Sequence, residues 1–140
     1  LTVLNLGGPS SVARRNAAIM VVEPPFWPWM MEQGVHLSSR VIPLLLERAG
    51  IKPADVDLVV PHQLAGHVVQ QWAHNLEQSH GIPATRWRDS WDRYGNVAAA
   101  DAYLTLCDLV AGNEIRSGAN VVMFTPAAAG HNSAMLLKWS

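Results

Sequence analysis

Apolar residues along this chain fall into two alternating rhythms: short runs bounded by turn residues, and longer stretches in which they recur at helical spacing. Leu1 to Leu6 reads as a strand, Gly7-Gly8-Pro9-Ser10-Ser11 as a turn or loop, and Ala18 to Val22 as a second strand. Between Val35 and Ala49 the apolar positions Val41, Leu44, Leu45 and Ala49 share a helical face and Gly50 supplies the stop, while Pro43 predicts a kink or a late start. Ile51 to Asp55 is a short connection and Asp57 to Pro61 a buried strand. Leu64 to Gln78 follows as a helix with Leu64, Val68, Val69, Trp72, Ala73 and Leu76 inward, broken by Gly81-Ile82-Pro83. A loop rich in tryptophan and charge, Arg86 to Arg93, leads to a helix over Ala98 to Ala111 with Ala99, Ala102, Leu106, Leu109 and Val110 inward. Ala119 to Phe124 and Ser133 to Trp139 then read as strands on either side of a small-residue turn, Thr125 to Gly130. Strands alternating with amphipathic helices imply a layered α/β domain with a mixed sheet. With no repeat, low-complexity tract or linker, residues 1–140 are read as a single domain.

Composition narrows the setting. An apolar fraction of 49%, a charged fraction of 15% and a formal net charge of -1 over 140 residues describe an ordinary globular chain with a large interior. That balance points to neither nucleic acid nor an anionic membrane as a partner. Cys107 is the only cysteine, so no internal disulfide can form, and the reducing cytoplasm is the expected compartment. No apolar run approaches the roughly 18 residues needed to cross a bilayer. The chain begins on Leu1, already in a strand, which reads as a fragment, a processed chain or one half of something larger. One segment stands apart: Glu23 to Met31 carries Pro24, Pro25 and Pro28 together with Phe26, Trp27, Trp29, Met30 and Met31. It is too apolar for an exposed loop, so it covers a pocket, meets a partner, or folds onto its own core.

Candidate chemistry centres on two places. His62-Gln63 follows the apolar run Leu58 to Pro61, and Tyr94-Gly95-Asn96 opens the alanine-rich helix. A histidine at the end of a buried strand and an asparagine at the mouth of a helix can aim two neutral donors at one carbonyl oxygen, which suits chemistry through an enolate or another oxyanion. Each residue alone has a plainer reading, His62 as a structural hydrogen-bonding group and Asn96 as a cap or turn residue. Cys107 falls beside the apolar face of its helix and is read as core. His67, His74, His80 and His131 show no metal-ligand spacing, and no metal is expected. Trp87, Trp91 and Tyr94 either line a ligand tunnel or anchor their loop to the core.

The order of helix, Asp55-Val56-Asp57, apolar strand, His62-Gln63, helix, Tyr94-Gly95-Asn96, alanine-rich helix, strand and small-residue turn resembles the C-terminal half of thiolase-fold condensing enzymes. Within that group it is most similar to the β-ketoacyl-acyl-carrier-protein synthase III family, over about residues 30 to 140. Ala128 to Ser133 also resembles the turn of the related olefin-pathway thiolases. The resemblance implies a thiolase-like layered fold with a mixed sheet and covering helices, in an enzyme of two halves. The N-terminal half, or a second subunit, brings a nucleophilic cysteine; this half brings His62 and Asn96 as candidate catalytic residues. It further implies Claisen condensation of acyl thioesters, with coenzyme A or phosphopantetheine thioesters as substrates and no permanently bound cofactor. An acyl-carrier protein or acyl-CoA would be the partner, and whole enzymes would form dimers.

Carried over by position, Gln63, Ala65 and His67 fall where the family contacts substrate or carrier, and Ala129 and Gly130 fall in the turn beside the nucleophile. The chain departs from the family pattern at two of these places. Gln63-Leu64-Ala65 and His67 stand where the family runs Gln-Ala-Asn and then a phosphate-holding arginine, and the usually glycine-rich turn is Pro126-Ala127-Ala128-Ala129-Gly130. As an oxyanion donor His62 should be neutral, and a helix starting at Leu64 would favour that form. Two other functions fit the same residues: an acyltransferase to an alcohol or amine, with the histidine as base, and a non-catalytic partner subunit.

Overall fold

Alternation along the strands decides how the layers form. The computed structural model describes residues 4–6, 20–22, 28–29, 32–126 and 132–140. Strands β1 (Leu4–Leu6) and β2 (Met20–Val22) pair antiparallel, Leu4 opposite Val22, within the two stretches read as strands. The main sheet holds β3 (Leu58–Pro61), β4 (Asn120–Pro126) and β5 (Asn132–Lys138) in the order β3-β4-β5. β3 runs parallel to β4 and β4 antiparallel to β5, so the sheet is mixed, as expected. A parallel pair needs a crossover connection. Here the intervening chain forms α2 (Gly66–His80), the single turn α3 (Trp91–Tyr94) and α4 (Asp101–Ala111), while α1 (Leu37–Ala49) precedes β3.

Because successive strand residues point to opposite faces, each strand feeds two separate cores. Val59, Val122 and Phe124 pack with Leu37, Ile42 and Leu46 of α1 and with Val68, Val69, Trp72 and Leu76 of α2. Leu58, Val60, Val121 and Met123 pack on the other side with Ala102 and Leu109 of α4 and with Ile115. The unbroken apolar run of β3 is thus a strand covered on both faces.

Trp72 is the main tie between α2 and its neighbours. It is fully buried, meets Phe124 edge-on with ring centroids 5.2 Å apart, and donates its Nε1–H to the Gly34 carbonyl at 2.7 Å. Ser38 Oγ donates back to the Trp72 carbonyl at 3.1 Å, and Asn75 Nδ2 donates to the Val35 carbonyl at 2.7 Å.

Several inward positions differ from the sequence reading. The inward rows of α1 are Leu37, Ser38, Ile42 and Leu46, with Val41 and Leu45 half-buried, whereas Leu44 is 55% exposed. Residues on a helix advance about 100° each, so Leu44 points about 200° away from buried Ile42. The late start read from Pro43 is not seen: α1 begins at Leu37, after a 3-10 turn at Gly34–His36, and carries Pro43 inside the helix. In α4 the inward row is Asp101, Thr105 and Leu109 with Ala102; Val110 is 44% exposed, and Ala99 lies in a preceding 3-10 turn and is exposed. Cys107, read as core, is exposed, because it sits about 200° from both Thr105 and Leu109.

A polar clasp closes the lower end of β3. Asp57 accepts the Asn120 N–H at 2.8 Å and Arg116 Nη2 at 2.6 Å, and Asn120 Nδ2 donates to the Asp55 carbonyl at 2.8 Å. The bond from Arg116 is the main reason the Asp57 carboxyl titrates below its ordinary value of 3.8. The unfolded carboxyl therefore protonates first, so the clasp stabilises fully above that range and its contribution is lost as pH falls through the folded value. Asp57→Asn should flatten this part of the acid slope, read from denaturation midpoints at neutral and acidic pH; an unchanged slope would show that the clasp carries no linkage.

Candidate functional site

His62 emerges one residue beyond β3. Its N–H is held by the Phe124 carbonyl at 2.7 Å, which places it at the carboxyl ends of the parallel pair β3 and β4, where open α/β sheets bind ligands. The imidazole side chain is 13% exposed. Its Nδ1 lies 2.8 Å from Asp101 Oδ2 and 3.0 Å from Oδ1. Asp101 is wholly buried as the first residue of α4, where the helix N-terminus favours a negative charge, and its carboxylate has no further side-chain partner among the described residues.

Gln63 fixes this strand end to the loop that follows. Its Nε2 donates to the Pro61 carbonyl at 3.1 Å and the Arg88 carbonyl at 3.3 Å, and its Oε1 accepts the Ser90 N–H at 3.2 Å. Ser90 Oγ then meets Thr105 Oγ1 at 2.5 Å, and Thr105 Oγ1 donates to the Asp101 carbonyl at 2.9 Å. The first turn of α4 is thereby registered against His62 through a closed set of polar contacts. Gln63, read as a substrate or carrier contact, is instead fully buried with both ends of its amide committed to backbone groups. A buried amide left unpaired would be costly, and this lining of the strand end satisfies it.

Asn96 arrives by a turn that only glycine makes easily. Gly95 has φ 61° and ψ -154°, a region closed to residues with a Cβ, and no atom crowds the space a Cβ would occupy. The constraint there is the backbone itself. Asn96 Oδ1 accepts the Ala98 N–H at 2.9 Å, which fixes which end of the amide is oxygen. Its Nδ2 reaches the Leu64 carbonyl at 3.5 Å, so the exposed Asn96 stands against the segment just after His62 with its N–H groups nearly unspent. Two residues on, Ala98 holds φ 56°, a left-handed conformation that costs a non-glycine residue about 1–2 kcal/mol.

The aromatic residues near the site are anchors. Trp87 is buried in the core against α1 and α2, and Trp91 stands against Gly66 at the start of α2. Tyr94 donates its hydroxyl to Asp108 Oδ2 at 2.7 Å, which raises its titration above the ordinary 10.0, and Arg93 binds the same oxygen at 2.7 Å.

The structure therefore brings His62, Asn96 and Gln63 to one edge, with Gln63 beneath it. Ala65 is half-buried as the cap of α2, and His67 is exposed in its first turn. The helix expected from Leu64 starts at Gly66, because Ala65 is still extended at φ -166°. Ala129, Gly130, His131 and most of the segment Glu23 to Met31 lie outside the described residues. Asp101 was missed: the sequence reading placed it inside the helix over Ala98 to Ala111 and gave it no role. The available signal was its place on the inward row with Thr105 and Leu109, where a carboxylate requires a partner.

A mixed sheet covered on both faces, with His62 just beyond the strand ends, is shared with thiolase-type α/β domains of known structure. The 3-oxoacyl-(acyl carrier protein) synthase III of Pseudomonas aeruginosa PAO1 superposes with a TM-score of 0.82 over 99% of this chain and 41% of that one, at 20% identity. That of Aquifex aeolicus VF5 gives 0.79 over 98% and 40%, at 22% identity. Sequence narrows the class further. The family described as 3-oxoacyl-[acyl-carrier-protein (ACP)] synthase III C terminal matches residues 46–139, and the chain belongs to it. The β-ketoacyl-[acyl-carrier-protein] synthase III of Oleidesulfovibrio alaskensis is 32% identical over 109 residues, covering 78% of this chain and 32% of that protein. The chain spans about a third of the length of the curated relatives it matches.

Proposed function

We propose that this chain is the His- and Asn-bearing part of a β-ketoacyl synthase III-like enzyme that joins acyl thioesters by Claisen condensation. The observation that carries the reading is the orientation of Asn96. Its oxygen is engaged by the Ala98 N–H, so the amide turns its N–H groups toward the strand end that bears His62. A donor in that position holds a thioester oxygen as negative charge develops on it, which is the largest single contribution in most chemistry of this kind. The nucleophilic cysteine comes from an N-terminal half or second subunit, since Cys107 lies mid-helix on α4, away from the strand ends.

In the proposed reaction that cysteine takes an acyl group from a coenzyme A or phosphopantetheine thioester, with loss of the carrier thiol. A second thioester, a malonyl group losing carbon dioxide or an acyl group giving its α-proton to the His62 imidazole, becomes an enolate held by Asn96. The enolate carbon attacks the acyl-cysteine carbonyl, the new C–C bond forms, and the C–S bond breaks to return the thiolate. Covalent capture divides one hard step into two easier ones. An acyl-carrier protein or acyl-CoA is the partner that delivers the chain, and dimers of whole enzymes are the expected assembly. Ala65 and His67, flanking the start of α2, are the contacts offered to the carrier or its phosphate.

One observation favours a second reading. The Asp101 carboxylate on His62 suits a base, as an acyltransferase to an alcohol or amine requires. Mass analysis of products from the intact protein separates the two. A β-ketoacyl thioester from acyl-CoA and a malonyl thioester is the expected result, while an ester or amide from alcohol or amine acceptors would overturn condensation in favour of transfer. Absence of both products would leave a non-catalytic role.

A further inference from the structure

We propose that Asp101 is a positioning residue that fixes the tautomer of His62, so that Nε2 meets the reacting groups as a proton acceptor and becomes a donor only after it has taken up a proton. The inference rests on the reading that His62 serves the condensing site. It replaces the expected pair of neutral donors with one donor, Asn96, and one base.

The argument is one of hydrogen-bond inventory. A carboxylate has no hydrogen to give, so an imidazole nitrogen bonded to it must carry the proton. Both carboxylate oxygens of Asp101 lie within 3.0 Å of Nδ1, and the residue is wholly buried. A neutral imidazole has a single N–H, and with that proton committed to Asp101 its Nε2 is bare. Nε2 makes no hydrogen bond to any described residue, so it is the nitrogen left for chemistry. The backbone around Asp101 is fixed by Thr105, Ser90 and Gln63, and the backbone of His62 by Phe124, so the two side chains start from positions held in register. Asn96, by contrast, has its acceptor end occupied and presents hydrogens.

The consequence is a division of labour that the sequence motifs alone do not distinguish. A thiol that attacks a thioester carbonyl passes its proton to Nε2 as the new S–C bond forms, and the departing thiolate takes that proton back. The carbonyl oxygen is held meanwhile by Asn96. The imidazolium present between those events is balanced by the Asp101 carboxylate, as in triads where an aspartate orients a histidine.

Nitrogen-15 labelling of the histidine rings in the full-length protein tests the tautomer directly, with the His62 signals identified by their loss in His62→Gln. The expected result is a hydrogen on Nδ1 and none on Nε2. A resting His62 with its hydrogen on Nε2, as when a protonated Asp101 donates to Nδ1, would overturn the inference whatever products the protein makes. The second arm is kinetic: Asp101→Asn should lower kcat about 100-fold or more, with KM within about twofold of the parent. A hydrogen on Nδ1 together with unchanged kcat would overturn the positioning role. A hydrogen on Nδ1 in a protein that yields no condensation product supports the tautomer and overturns the proposed function alone.

Discussion

Asn96→Asp in the intact protein should lower kcat for condensation by about 100- to 1,000-fold, close to 3 kcal/mol of barrier, the usual cost of removing one oxyanion donor. The aspartate variant is the sharper choice over alanine. A carboxylate oxygen still accepts the Ala98 N–H, so the turn that Gly95 and Ala98 build stays closed, while both amide hydrogens disappear. Asn96→Ala would also remove the turn contact, adding about 1 kcal/mol of local destabilisation to the catalytic loss. Because Asn96 is exposed, the aspartate variant should melt within a few degrees of the parent. Steady-state kinetics with an acyl-CoA and a malonyl thioester, alongside thermal unfolding, read both effects. Retention of parental kcat in Asn96→Asp would remove Asn96 from the chemistry.

What the sequence made legible was local. Gly95 could be placed beside Asn96 because a residue confined to positive φ leaves its mark in the residue type alone. The strands and helices followed from their periods, and the mixed sheet followed from their alternation. Side chains whose roles depend on distant partners were harder to read. Gln63 stands next to His62 in the chain and was assigned to the ligand, but its amide bonds Arg88 and Ser90 of a loop some way along the chain. Asp101 has no evident partner along the chain until α4 is folded against β3, when its carboxylate meets His62. Errors in helix facing have the same origin. Leu44, Cys107 and Val110 are apolar enough for a core, and only the surfaces of α2 and the sheet decide which rows face inward.

Holding these distant groups in register is the task of the core, where Trp72 links α2 to Phe124 of the sheet and to Gly34 before α1. Trp72→Ala should destabilise the protein by about 3–5 kcal/mol, the range for truncating a buried aromatic residue to alanine. That is a large share of the roughly 5–15 kcal/mol that holds a typical domain together. Two losses combine in this variant: the cavity against Phe124, and the Gly34 carbonyl left without its indole donor. Trp72→Phe separates them, since it keeps an aromatic edge toward Phe124 and forfeits mainly the hydrogen bond, and it should cost clearly less. Chemical denaturation of the full-length chain, compared at equal slope, measures both. A loss below about 1 kcal/mol for Trp72→Ala would mean that α1 and α2 are held by their other contacts. Phe124 makes the result bear on function as well, because the ring that Trp72 supports belongs to the residue whose carbonyl holds the His62 backbone. A cavity at that ring loosens the strand end that carries His62, so activity per folded molecule should fall in Trp72→Ala while Trp72→Phe retains most of it.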